Sequence, residues 1–185
     1  MALCLIFACV SAETFNLDFT PEVTIDEADI LKFGVTDVPK FVAGMVMGII
    51  HKNDMSEIEK CFAGSTDLTN AIIQAVKDFS SGGMTGILAG LKDIGVIVML
   101  MPDAFSHCTN ISDDLTKLKK WAAIFTHPAD LASTIAKNLL FHFSEITKAV
   151  SAGVKDFKAQ QYFDSGNDFG TALTLAIGKA APQFE

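Results

Sequence analysis

Apolar residues recur at helical spacing along nearly the whole chain beyond residue 25, and no segment makes a convincing strand. The clearest repeat is Leu68, Ile72, Ala75, Val76 and Phe79, one face of a helix over 65–79 that Ser80-Ser-Gly-Gly83 closes. Asp37 reads as an N-cap and Pro39 as a first-turn proline, opening a helix through Phe41 to Ile50. Asp54 and Ser56 offer caps for a short helix to Phe62, stopped by Gly64. A very apolar helix follows over 84–101, ended by Pro102. Lys92 and Asp93 interrupt it, which points to a buried core helix rather than a membrane span. Ser112-Asp-Asp114 cap a helix through Leu115, Leu118, Trp121 and Ile124. Pro128 starts the longest pattern, 129–160, with a break expected near Ser151 to Gly153. Asp164 to Asp168 reads as a polar loop before a final helix over 169–181. The expected fold is all-α: a compact bundle of six to eight helices in one domain over 13–185, with an extended lead-in over 13–25.

The N-terminus predicts a compartment. Ala2 to Val10 reads ALCLIFACV, and Val10-Ser11-Ala12 fits the small-x-small rule for cleavage, so 1–12 reads as a secretory signal. Nine apolar residues fall well short of the ~20 that span a bilayer. Removing the signal takes Cys4 and Cys9 with it and leaves Cys61 and Cys108. In an oxidising compartment that pair most simply forms one disulfide closing a loop of about 48 residues, worth ~4 kcal/mol in the chain-entropy model. Asn110-Ile-Ser112 is the one N-x-S/T sequon, in a polar stretch two residues past Cys108, so Asn110 is a candidate glycosylation site.

Charge excludes a further class. The chain carries net charge −8, and all 14 basic residues are lysine. Without arginine it lacks the forked donor for phosphate and guanine, and its acidity disfavours nucleic acid as a partner. No constellation points to catalysis. G-x-S-x-G, HExxH, CxxC and phosphate-binding glycine loops are all missing from the sequence. His142 and Glu145 stand at i,i+3 spacing but lack further ligands, and the Asp164 to Gly170 run fails EF-hand spacing. No catalytic residue, metal ligand or cofactor is therefore nominated.

Two patterns of small residues remain. Gly44-x-x-x-Gly48 and Gly86-x-x-x-Gly90 predict close helix crossings. Residues 66–79 align without gaps on 144–157 with six of fourteen identities, ending in a shared Val-Lys-Asp-Phe. A duplicated helical hairpin (66–92 and 144–179) would explain this; so would the common composition of amphipathic helices.

Phe41-Val-Ala-Gly44-Met-Val-Met-Gly48, Cys61, Pro102-Asp-Ala, Cys108, Phe125-Thr-His-Pro128 and Ala136-Lys-Asn-Leu-Leu-Phe-His142 together resemble a family of small secreted helical proteins of ciliate protists. The ending, from Tyr162 to Leu173, is similar to that family's as well. The resemblance implies secretion, an all-α fold and a Cys61–Cys108 bridge, and it brings no catalytic residues.

The reading is a secreted, non-catalytic protein that acts by binding or packing, such as a granule or matrix component that partners itself. The alternative is a carrier of an apolar ligand such as a lipid, or a membrane-active helical protein. The carrier predicts a pocket lined by Phe41, Met45, Ile94, Val98, Phe125 and Phe141.

Overall fold

The computed structural model describes residues 24–180. The expected signal over 1–12, with Cys4 and Cys9, and the lead-in up to residue 23 lie outside them. The described residues form eight α-helices, with no strand among them. These are α1 (Glu27–Ile30), α2 (Val38–Ile50), α3 (Met55–Cys61), α4 (Thr66–Ser80), α5 (Gly83–Ala104), α6 (Ser112–Trp121), α7 (Pro128–Lys158) and α8 (Tyr162–Ile177). The all-α expectation holds, and so does the helix count.

Local chemistry accounts for most of the boundaries. The Ser65 hydroxyl accepts from Leu68 N at 3.2 Å and starts α4, whose five predicted face residues are all buried. Asp26 and Asp29 cap α1 reciprocally. Asp37 precedes α2 as expected, with Pro39 in the first turn, but its carboxylate accepts from Gly34 N at 3.2 Å and caps the preceding 3-10 turn instead. Asp54 likewise precedes α3 without capping it, because Lys52 holds its carboxylate at 3.2 Å.

Four boundaries differ from the sequence reading. Pro102 sits inside the last turn of α5, which runs on to Ala104; one lost N–H near a helix end is tolerated there. The α6 pattern tightens into a 3-10 segment at Ala122 instead of continuing to Ile124. The long helix α7 is unbroken at Ser151 to Gly153 and bends at His142 (φ −122°, ψ 15°). The fourth difference is the largest. Asp164 to Asp168, expected as a loop, forms the first turns of α8.

Packing explains that last difference. α8 lies along α2 so closely that glycine is required on both helices. A β-carbon on Gly44 or Gly48 would collide with the carbonyl oxygens of Phe163 and Asn167; one on Gly166 would collide with that of Phe41. On Gly170 it would stand 2.8 Å from Met45 O. The pairing climbs both helices together, so α2 and α8 run parallel. Ser165, fully buried in the same stretch, donates to Gly153 O of α7 at 2.8 Å. The small polar residues that suggest a loop are thus the contact surface of a helix held between two others. Gly86 and Gly90 serve a different crossing, within the α4–α5 hairpin. There Gly86 faces the Asp78 carbonyl and Gly90 the Phe79 ring.

Around this crossing the aromatics meet in the core. Phe79 stacks on Phe169 with centroids 4.7 Å apart, Phe41 lies 6.0 Å from Phe169, and Phe33, Phe157 and Tyr162 form a triangle with sides of 5.0–5.3 Å. Both phenylalanines of the repeated Val-Lys-Asp-Phe are therefore core residues. Cys61, at the end of α3, is bonded to Cys108 beyond α5, with Cα atoms 5.4 Å apart.

Gly44→Ala and Gly166→Ala should each destabilise the protein by about 3 kcal/mol or more, because the obstacle is backbone that cannot rotate away. Gly34→Ala meets open space and should stay within about 0.5 kcal/mol of the parent. Urea unfolding followed by circular dichroism checks both; equal effects at the three positions would refute the crossing.

Candidate functional site

The parallel run of α2 and α8 brings two helix C-termini to one corner of the bundle. His51 ends α2 in a left-handed conformation (φ 58°), and Gly178 ends α8 at φ 96°. α6 completes the corner with Asp114, Lys117, Lys120 and Trp121 on its near face. Together Ile49, Ile50, His51, Lys52, these four residues, Lys179 and Ala180 line an open groove of about 650 Å³. That is within the range of small-molecule sites. Trp121 Nε1 donates to Gly178 O at 3.0 Å and fixes the α8 end against α6.

Charge in the groove opposes that of the chain. Four of the 14 lysines line it, against one carboxylate, Asp114. Lys52 Nζ bridges Asp114 Oδ2 and Asp54 Oδ1; the bond to Asp114, above all, raises its pKa. Lys117 lies 3.6 Å from the other Asp114 oxygen. Lys120 and Lys179 are exposed, with no carboxylate within ion-pair distance among the described residues. The carbonyl ends of α2 and α8 carry roughly half a negative charge each, which offsets part of this excess. The remainder is positive beside an apolar floor of Ile49, Ile50, Trp121 and Ala180. The arrangement can hold an anionic head and an apolar body.

The residues expected to line an apolar pocket do not converge on one. Phe41, Met45, Ile94 and Val98 are solvent-inaccessible core residues. Phe125 is half-buried against Gly95 of α5, and Phe141 is 73% exposed. The reason is glycine: it lets the helices approach so closely that the large side chains fill the interior. α5 is long and apolar enough to cross a membrane, but Ile87, Leu91, Ile94 and Val98 on it are buried in the fold. His142 Nδ1 pairs with Glu145 Oε2 at 2.6 Å on the surface, and no metal-capable cluster of three side chains occurs among the described residues. Asn110 is exposed in the 3-10 turn Thr109–Ile111. The groove itself was not anticipated. Its one sequence signal is the lysine series of α6 flanking the single tryptophan.

A family model described as SctB-like, secreted protein B-like, matches residues 19–177. The match says nothing of a ciliate origin. No curated protein and no solved structure matches the chain.

Two carboxyl groups elsewhere carry raised pKa values. Burial, then the neighbouring Asp78, pushes Asp93 on α5 up to about 6. Burial, then Asp156 with Asp164 behind it, pushes Asp168 on α8 up to about 7. Neither lines the groove, and each faces another aspartate across a helical hairpin. Their effect is on stability. Folded values above the unfolded 3.8 mean that the native state binds these protons more tightly. The contribution is complete below about pH 4 and is lost as pH rises through 6 to 7. Asp29 opposes this at the acid end. The Lys32 contact, ahead of Lys158, lowers its pKa, so its contribution vanishes as pH falls below about 4. Thermal midpoints should peak near about pH 5 and fall by a few degrees towards pH 8. Asp168→Asn, which keeps a donor towards Asp156, should flatten that fall. An unchanged slope in the variant would rule out Asp168 as its source.

Proposed function

The chain belongs to the secreted protein B-like family, and from that premise we propose that it is a non-catalytic secreted binding protein whose recognition face is the lysine–tryptophan groove. The observation that carries this reading is the concentration of four lysines around the only tryptophan of a chain with net charge −8. The acidic surface repels anions at a distance, so binding must come from short-range contacts inside the groove. Lys52 and Lys117 are held by Asp114; Lys120 and Lys179 are the ammonium groups open to a ligand. The floor of Ile49, Ile50 and Trp121 would cover an apolar chain or ring. The ligand class is an amphiphilic anion with a carboxylate or phosphate head. This replaces the carrier with an internal pocket, since Phe41, Met45, Ile94 and Val98 fill the core.

A packing role has one observation of its own, the adjacent exposed pair Leu140 (64%) and Phe141 (73%) near the bend of α7. It predicts concentration-dependent oligomers that Leu140→Ser with Phe141→Ser abolishes.

Trp121 makes the binding test direct, because all tryptophan emission comes from the groove. Dodecanoate and dodecyl phosphate should shift and quench that emission. Dodecanol and inorganic phosphate should bind at least about tenfold weaker, since each lacks half of the complementarity. Lys120→Gln with Lys179→Gln should weaken dodecanoate about tenfold, and Lys137→Gln on α7 should leave it unchanged. Equal binding of dodecanol and dodecanoate would remove charge from the argument. A silent Trp121 would reject the groove.

A further inference from the structure

The Cys61–Cys108 bond lies beside a second depression that shares no residue with the groove. It has a volume of about 220 Å³ and is lined by Glu57, Lys60, Cys61, His107 and the segment Cys108 to Ile111. Its lining is mixed, with Glu57, Lys60, His107 and Asn110 beside the disulfide and Ile111, and it is shallow, with room for a single hexosamine ring. Asn110 stands at its rim. The side chain is exposed, and its Nδ2 donates to Glu57 Oε2 at 2.8 Å. That contact, more than Lys60, holds the Glu57 carboxyl below its ordinary value. One amide hydrogen is thereby engaged and the other is available.

We propose that Asn110 carries an N-linked oligosaccharide whose first sugar lies over this depression. Asn110-Ile-Ser112 supplies the acceptor amide and the required hydroxyl two residues on. The donor is a lipid-linked oligosaccharyl diphosphate. Nδ2 attacks C1 of its first sugar; the N–C1 bond forms, the C1–O bond to diphosphate breaks, the lipid diphosphate leaves and a base of the transferase takes the amide proton. A substituted amide keeps one N–H, so the bond to Glu57 survives modification, with Lys60 and His107 placed to meet sugar hydroxyls. Nothing buried is displaced, because the side chain of Asn110 points away from the core that takes in Ile111 (1% exposed).

The fold also sets two events in competition. Once Ile111 is buried and Cys108 is bonded to Cys61, the turn is closed. The Ser112 hydroxyl then donates to Thr109 O at 3.0 Å, not towards Asn110. Cys61 is made 47 residues earlier and is already present when Cys108 emerges, so disulfide closure competes with sugar transfer. A chain that cannot close should therefore be modified at least as fully.

The test uses full-length protein secreted by its own source. Intact mass, before and after peptide-N-glycosidase in heavy-oxygen water, should show an oligosaccharide that is released with isotope incorporation at residue 110. N110Q and S112A should each abolish it. C61S with C108S should show occupancy equal to or above that of the parent. Unmodified Asn110 throughout the secreted protein would overturn the site, as would a glycan that survives N110Q. Reduced occupancy in the cysteine variant would overturn the competition between closure and transfer.

Discussion

The backbone-to-backbone contact of α2 with α8 sets the rest of the molecule. Four glycines lack the β-carbons that would collide at the closest approaches, so carbonyl oxygens of one helix come close to Cα atoms of the other, a geometry that weak Cα–H···O contacts favour. Glycine inside a helix costs roughly 1 kcal/mol against alanine. Here the loss is offset by dispersion between backbones that pack in direct contact. It also places Phe41 and Phe169 within 6.0 Å and opens the core to Phe79 from α4. α8 becomes the central element, held by α2 on one side and by α7 through Ser165 and Gly153 on the other.

The groove follows from the direction of that crossing. Parallel helices end at the same place, and two carbonyl ends side by side repel one another. Lys52 and Lys179, the residues just past each end, relieve this, and α6 brings Lys117 and Lys120 alongside. The positive corner of an acidic protein is thus first a structural answer to aligned helix dipoles. Asp114 and Asp54 neutralise part of it. What is left over, on Lys120 and Lys179 next to Trp121, is the part that ligand recognition can use.

Acidic pairs obey the same logic in reverse. Asp93 with Asp78, and Asp168 with Asp156, put like charges across the two helical hairpins, and burial favours keeping one proton in each pair. Both hairpins contain the repeated Val-Lys-Asp-Phe, and in both its aspartate is the partner that raises the second one. The native state consequently gains stability on mild acidification, while Asp29 between Lys32 and Lys158 limits how far acidification helps.

Helical periodicity, prolines and the Ser65 cap were enough to read the all-α class, the helix count and the α4 face, because these depend on residues within one or two turns of each other. An even cysteine count pointed to the Cys61–Cys108 bond for the same kind of reason: it needs arithmetic and a compartment, with no geometry. Asp164 to Asp168 failed as a loop because the partners of Gly166 and Ser165 are Phe41 and Gly153, one of them more than a hundred residues away. The groove was illegible for that reason too. Its lysines come from α6 and from just past the ends of α2 and α8, and only the parallel sense of α2 and α8 makes them neighbours. Local propensity therefore determined what the pieces are; long-range close packing, possible only where glycine occurs on both partners, decided which ends meet.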